Sequence, residues 1–235
     1  MFFVYWLNGV TSGGEYMDIV TTEPIDTTGT CMDLNAQMVF GMRIVSVTEL
    51  PDKAKNAMAA VEAASYYVYV KKKEGKEPAL SEYQRAIKVF FTDADSIRVI
   101  KQTKKSEREL DLKPLVYEFC VNTVDEMEKA ADYSDKGVAI DCCDMYGAED
   151  SAADETHDVE NAFGFDAFVM DEDIKPEQAV FYMKLSCGST DNIKPEFLME
   201  HFFSAMGIEP DGYRLGIHRI DMYRQADDGA FVSLG

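Results

Sequence analysis

Five basic residues, Lys101, Lys104, Lys105, Arg108 and Lys113, fall within a short span of this chain. They follow a β-rich run (Ile97, Val99, Ile100) and overlap an acidic and apolar alternation, Glu109-Leu110-Asp111-Leu112. Cations gathered at a strand end suit phosphate binding, because each one that meets a phosphate releases condensed counterions. Arg219, flanked by His218 and Ile220, can join them as a nucleic-acid-binding residue. A second reading stands beside this one. Glu107, Glu109 and Asp111 interleave with the bases, and opposite charges paired across strands stabilise an ordinary solvated hairpin. The aromatic signature of an RNA recognition motif is absent, so any contact with RNA would rest on the cations.

Around this cluster the sequence supplies further groove candidates: Asp18, Asp111, Asn192, Lys194 and His218. An enzyme acting on RNA would need a carboxylate for proton transfer in a basic cleft, and Asp18 or Asp111 would have to provide it. Gly188 to Asn192 lead through Lys194 into a helix, whose free N–H groups can hold an anion. A simple N-cap from Asp191 or Asn192 explains the same residues, and Asp191 would repel an anion there. His218 and Arg219 point to alternate faces of a strand. They can reach a groove shared with the basic turn, or form a structural ion pair with Asp111 or Asp221.

Other chemistries find no pattern. No P-loop, dinucleotide fingerprint or nucleophile elbow is present, and no cofactor is expected. Cys142 and Cys143 with His157 lack the spacing of a preorganised metal site. The five cysteines, Cys31, Cys120, Cys142, Cys143 and Cys187, form no disulfide framework, which leads us to expect reduced thiols and a cytoplasmic protein. No apolar run is long enough for a membrane helix. The apolar start MFFVYWLNGV lacks a basic leader and a cleavage site, so it is not expected to be a signal peptide.

The net charge of −20 is unevenly distributed. Residues 125–173 hold 17 acids against two lysines, so about three-quarters of the excess lies in about one-fifth of the chain. This tract is expected to be a mobile insertion between two strands, because like charges repel and little apolar surface is available.

The periodicities predict the elements that position these residues. Strands are expected at Glu15–Val20, Met42–Leu50, Ser65–Val70, Ile97–Lys104, Leu115–Val121, Gln178–Cys187 and Tyr213–Tyr223, with a short one at Ala230–Leu234. Helices are expected at Cys31–Val39, Ala54–Ala64, from Leu80 to Phe91, and from Ile193 to Met206 with Gly207 as its stop. From Ser65 the order is β-α-β-β-α-β, a split-βαβ, ferredoxin-like unit over 65–235. Residues 9–53 read as a β-α-β half of the same unit, joined by a linker helix at 54–64. The expected class is α+β, with antiparallel sheets and helices on one face.

Three blocks taken in order carry a family likeness: Gly9–Asp26 followed by Leu34–Pro51; Thr103–Phe119; and Gly188–Phe203 followed by Gly216–Tyr223. Together they resemble the radical-SAM-linked protein family, a bacterial domain of unknown function. The resemblance implies a radical SAM protein as partner. Family members carry a further strand, helix and loop ahead of the position of Met1, so the resemblance implies an N-terminally truncated member. None of the cysteines has the spacing of a radical SAM cluster, so the chain is not expected to be the radical enzyme itself. The reading that results is a noncatalytic accessory or substrate-presenting module, with RNA as the candidate substrate. The alternatives are an RNA-acting enzyme or an inactive fragment.

Overall fold

The computed structural model describes residues 10–51, 54–73, 77–102, 106–127, 174–188, 191–209 and 212–234. The expected mobile insertion lies largely outside the described residues, as do Lys104 and Lys105. The class is α+β, as the alternating periodicities require.

The centre of the molecule is β2 (Ala63–Lys73). It pairs antiparallel with β6 (Ala179–Ser186) on one side and with β7 (Tyr213–Gln225) on the other. The sheet continues from β6 to β5 (Val116–Thr123), also antiparallel. At the far edge, β1 (Val10–Ser12) runs parallel to β7, and β8 (Phe231–Ser233) pairs with the end of β7. Ser65 to Val70 are all buried. A β-strand turns successive side chains to opposite faces, so such a run needs cover on both. Tyr66, Val68 and Val70 join the main core, while Tyr67 and Tyr69 pack in a second cluster with Cys120, Val124, Met127 and Val180.

The main core lies under α3 (Leu80–Ile87) and α4 (Pro195–Ala205). Helix α3 buries Tyr83 and Ile87, four residues apart on one face. Helix α4 starts with Pro195, whose missing N–H is harmless in a first turn, and buries Leu198, Met199, Phe202 and Phe203. The Phe181 ring sits among Tyr83, Phe119, Phe202 and Phe203, with centroid separations of 5.1, 6.2, 5.8 and 6.0 Å. A π-turn, Lys88–Thr92, extends α3. The hairpin of β3 (Arg98–Gln102) and β4 (Glu107–Asp111) is a separate two-stranded sheet placed before β5.

Three expected elements differ from the structure. Glu15–Val20 is not a strand: the ladder of β1 ends at the bond from Gly13 N–H to Arg219 O, and farther along β7 is paired with β8. Met42–Leu50 is not a strand either. The Asn35 amide, on α1 (Thr27–Gln37), meets both the N–H and the carbonyl of Ile44, at 2.9 Å each, where a neighbouring strand would otherwise do so. The helix expected over Ala54–Ala64 shrinks to α2 (Ala57–Ala60). Glu62 is already held to the sheet, its N–H by Tyr223 O and its carbonyl by Cys187 N–H.

Candidate functional site

Val99 and Leu110 anchor the β3–β4 hairpin in the core. That leaves Lys101 and its cross-strand neighbour Arg108 facing the loop before α4. Lys101 Nζ donates to Asn192 O at 2.8 Å, and Arg108 Nη1 meets Asp191 Oδ1 at 3.3 Å. Asp191 and Asn192 are themselves held: Ser186 Oγ donates to Asp191 O at 2.6 Å, and Cys187 bridges to Asn192. The structure therefore joins two of the sequence's separate candidates, the basic hairpin and the start of the helix. Asp191 serves as a salt-bridge partner here, and the N-cap position falls on Lys194, whose exposed side chain makes no cap.

The other predicted residues are placed elsewhere. Lys113 donates to Phe91 O and lies over the Phe91 ring, 4.2 Å from its centroid, so it closes the π-turn. Asp111 accepts from Ile97 N–H at 2.8 Å and Lys113 N–H at 3.0 Å, and these bonds hold its carboxyl below the usual range. Asp18 accepts from Ala57 N–H at 2.6 Å at the start of α2. Both carboxylates proposed for proton transfer thus serve backbone amides. His218 is fully buried and shares a 2.8 Å hydrogen bond with Thr11 Oγ1.

Arg219 gathers a cluster that local sequence did not reveal. Its Nη1 meets Glu15 Oε1 at 2.7 Å, and the guanidinium lies 5.7 Å from the centre of the Tyr66 ring. Of the two readings of Arg219, a shared groove or an ion pair with a carboxylate such as Asp111 or Asp221, the structure shows an ion pair, but with Glu15; Asp221 accepts from the Tyr16 hydroxyl at 2.7 Å. Cys187 also neighbours Tyr66 and Arg219. Burial pushes the Tyr66 phenol up to about 12, against the lowering effect of Arg219, and it raises the Cys187 thiol as well. Both groups are therefore protonated, potential donors near neutral pH. Glu15 and Arg219 stand 204 residues apart, so only folding brings them together.

Two surface hollows lie apart from these residues. One, of about 620 Å³, is formed by Cys31, Met32, Asn35, Arg43, Ile44 and neighbours. The other, of about 520 Å³, separates α3 from α4 and is lined by residues including Arg85, Val89, Phe90, Phe202 and Met206. Among the described residues no group of His, Cys, Asp or Glu is arranged to hold a metal; Cys142, Cys143 and His157 lie outside them. No described helix is long and apolar enough to cross a membrane.

A family model described as an uncharacterized protein conserved in bacteria (DUF2344) matches residues 8–143. The chain belongs to this family. Glu15, Tyr66, Lys101 and Arg108 fall within the matched span, whereas Cys187, Asn192 and Arg219 lie beyond it. Neither the curated proteins nor the solved structures provide a match.

Proposed function

We propose that this protein is a noncatalytic accessory module that presents a substrate, of the RNA class, to a radical SAM protein. The radical SAM partner follows from the family resemblance, and RNA from the cations of the β3–β4 hairpin. The observation that carries the reading is the clip between that hairpin and residues 191–192. It sets basic side chains on a supported edge, and the acceptor of Lys101 is a neutral carbonyl rather than a carboxylate. With the separate β3–β4 hairpin set aside, we read the main-sheet connectivity β2-α3-β5-β6-α4-β7 as ferredoxin-like, a scaffold suited to presenting a sheet or hairpin edge. The rival enzyme reading requires a carboxylate free for proton transfer, whereas Asp18 and Asp111 are both engaged with amides.

Two measurements test the proposal. Fluorescence-labelled RNA titrated onto the full chain should bind saturably, weaken as salt rises, and lose affinity in a Lys104→Glu/Lys105→Glu variant. Absence of saturable binding at low salt removes RNA as the substrate class. Coexpression with a radical SAM protein encoded nearby should yield a complex with iron–sulfur absorbance, and failure to copurify removes the accessory role.

A further inference from the structure

Among the described residues, nothing from Glu15 to Glu62 is buried, although α1 and α2 both lie in that span. Ten of the fourteen large apolar side chains that stand exposed among the described residues are found there. Ordering a chain costs conformational entropy, which buried apolar area must offset, and this span has no core of its own to do so. The apolar side chains are nevertheless held in place. The Asn35 clasp on Ile44 draws the chain back along α1. Between them the chain reverses, with Met42 N–H on Val39 O at 3.1 Å and Gly41 at φ +86°, a left-handed value that glycine takes without steric cost. Phe40 stands in this turn, as exposed as in an extended chain.

Met32 on α1 and Val45 beyond the turn line one hollow, the one of about 620 Å³, so the helix and the returning chain share a face. Met32, Val39, Phe40 and Val45 are 62–105% exposed, together about three whole side chains or roughly 500 Å². An ordinary monomer carries few apolar patches of that size, and two of them face to face bury about the 1,000 Å² that a specific interface requires. Charge decides which partner fits. The chain carries a net −20, which drives its copies apart, yet residues 27–48 hold a single acid, Asp33, and a single base, Arg43. A partner recognised by its charge calls for a surface of one sign. A two-fold interface sets a patch against itself, and it calls for a patch that is balanced and does not repel its own copy.

We propose that α1 and the turn that follows it form a docking face for a second copy of this chain, with Phe40 of each copy entering the hollow between Met32 and Val45 of the other. The face is independent of the RNA reading. The Lys104→Glu/Lys105→Glu variant should associate as the parent does, so failure of one proposal leaves the other standing.

The test is sedimentation velocity of the full chain from about 1 to about 200 μM at constant salt, because association follows mass action. One copy of 26.4 kDa should give way to two as the concentration rises. Phe40→Glu should weaken association at least about a hundredfold, as loss of a central aromatic anchor does. Phe40 is fully exposed in a single copy, so its loss changes association and not the fold. Ile100→Glu, at an exposed apolar position on β3, should associate as the parent does. A second measurement uses charge. Arg43→Asp leaves two acids on the face, and Asp33→Arg leaves two bases. Each should associate more weakly than the parent, and the two mixed should associate more strongly than either alone. A parent that stays a single copy at the highest concentration assigns the face to a different protein and overturns the proposal. So does Phe40→Glu associating as the parent does, Ile100→Glu failing to, or a mixture that gains nothing. Should Phe40→Glu not fold, the mixed charge variants decide.

Discussion

Residues 10–60 and the sheet from Ala63 to Gln225 contain similar kinds of apolar side chain but use them differently. Among the described residues, every fully buried apolar side chain lies at Ala63 or beyond. The earlier arm leaves Val20, Met32, Val39, Phe40, Val45 and Met58 exposed, and α1 buries nothing. The sheet is held by area removed from water, through a continuous packed core. Beyond the β1 ladder on β7, the arm is held by discrete polar contacts: the Asn35 clasp on Ile44, the Asp18 bond to Ala57, Tyr16 on Asp221 and Glu15 on Arg219. Apolar composition thus does not by itself create a core. Burial requires several elements to close on one another, and only the second region has them.

The largest expected contrast follows from core truncation. Phe181→Ala should cost about 3–5 kcal/mol, because it empties the centre of the aromatic cluster, whereas Phe40→Ala should stay within about 0.5 kcal/mol of the parent. Urea denaturation, at a dilution that keeps copies apart, measures both, and equal costs would break the distinction between the regions. Next in size is Gly14→Ala. A Cβ there would lie 2.8 Å from Asp221 Cα and Ile220 O, both backbone atoms that cannot swing aside. The arm should lift from β7 at a local cost of about 1–3 kcal/mol. Hydrogen exchange at the Gly13 amide would then accelerate while the global urea midpoint holds; a matching fall in the midpoint would show the two regions to be one cooperative unit.

Lys113→Met should lower stability by about 1–2 kcal/mol, since the Phe91 carbonyl loses a charged donor. Urea midpoints of this variant and the parent check it, and an unchanged value would mean the π-turn closes without that contact. Asp111 supplies a test by pH. Its folded-state carboxyl titrates below its unfolded value, so its contribution is complete above about pH 4 and fades as the pH falls through the lower folded value. Asp111→Asn should therefore flatten the acid limb of a stability–pH curve, and an unchanged slope would contradict the role given to the two amides. Among the polar contacts, the smallest effect is expected from Arg108→Ala. Its pair with Asp191 is largely exposed on the arginine side, and such pairs contribute about 1 kcal/mol or less.

Much of the sheet was legible in the sequence. The Ser65–Val70 alternation, the Gln178–Cys187 run and the Tyr213–Tyr223 stretch all lie on real strands, within one to three residues at most ends. The helical spacing of Tyr83 and Ile87 marks a true buried face, although the last turn of that helix widens into the π-turn that Lys113 closes. In the arm the same reasoning failed twice. Glu15–Val20 and Met42–Leu50 alternate as strands do, but alternation describes a side-chain pattern and provides no ladder partner. The candidate residues divide in the same way. Arg108, Lys101 and Asn192 were each visible, yet nothing local showed that they would meet. The Arg219 cluster was only a lone arginine until Glu15, Tyr66 and Cys187 were seen around it.

The sequence alone determined the α+β class, the principal strands and the uneven placement of charge, because hydrophobic period and composition are properties of neighbouring residues. Tertiary structure alone decided which carboxylates were engaged with amides, which cations were clipped to a loop, and that Arg219 met Glu15. Those outcomes depend on contacts between residues as much as 204 positions apart, where the geometry of the assembled sheet, rather than any local preference, selects the partner.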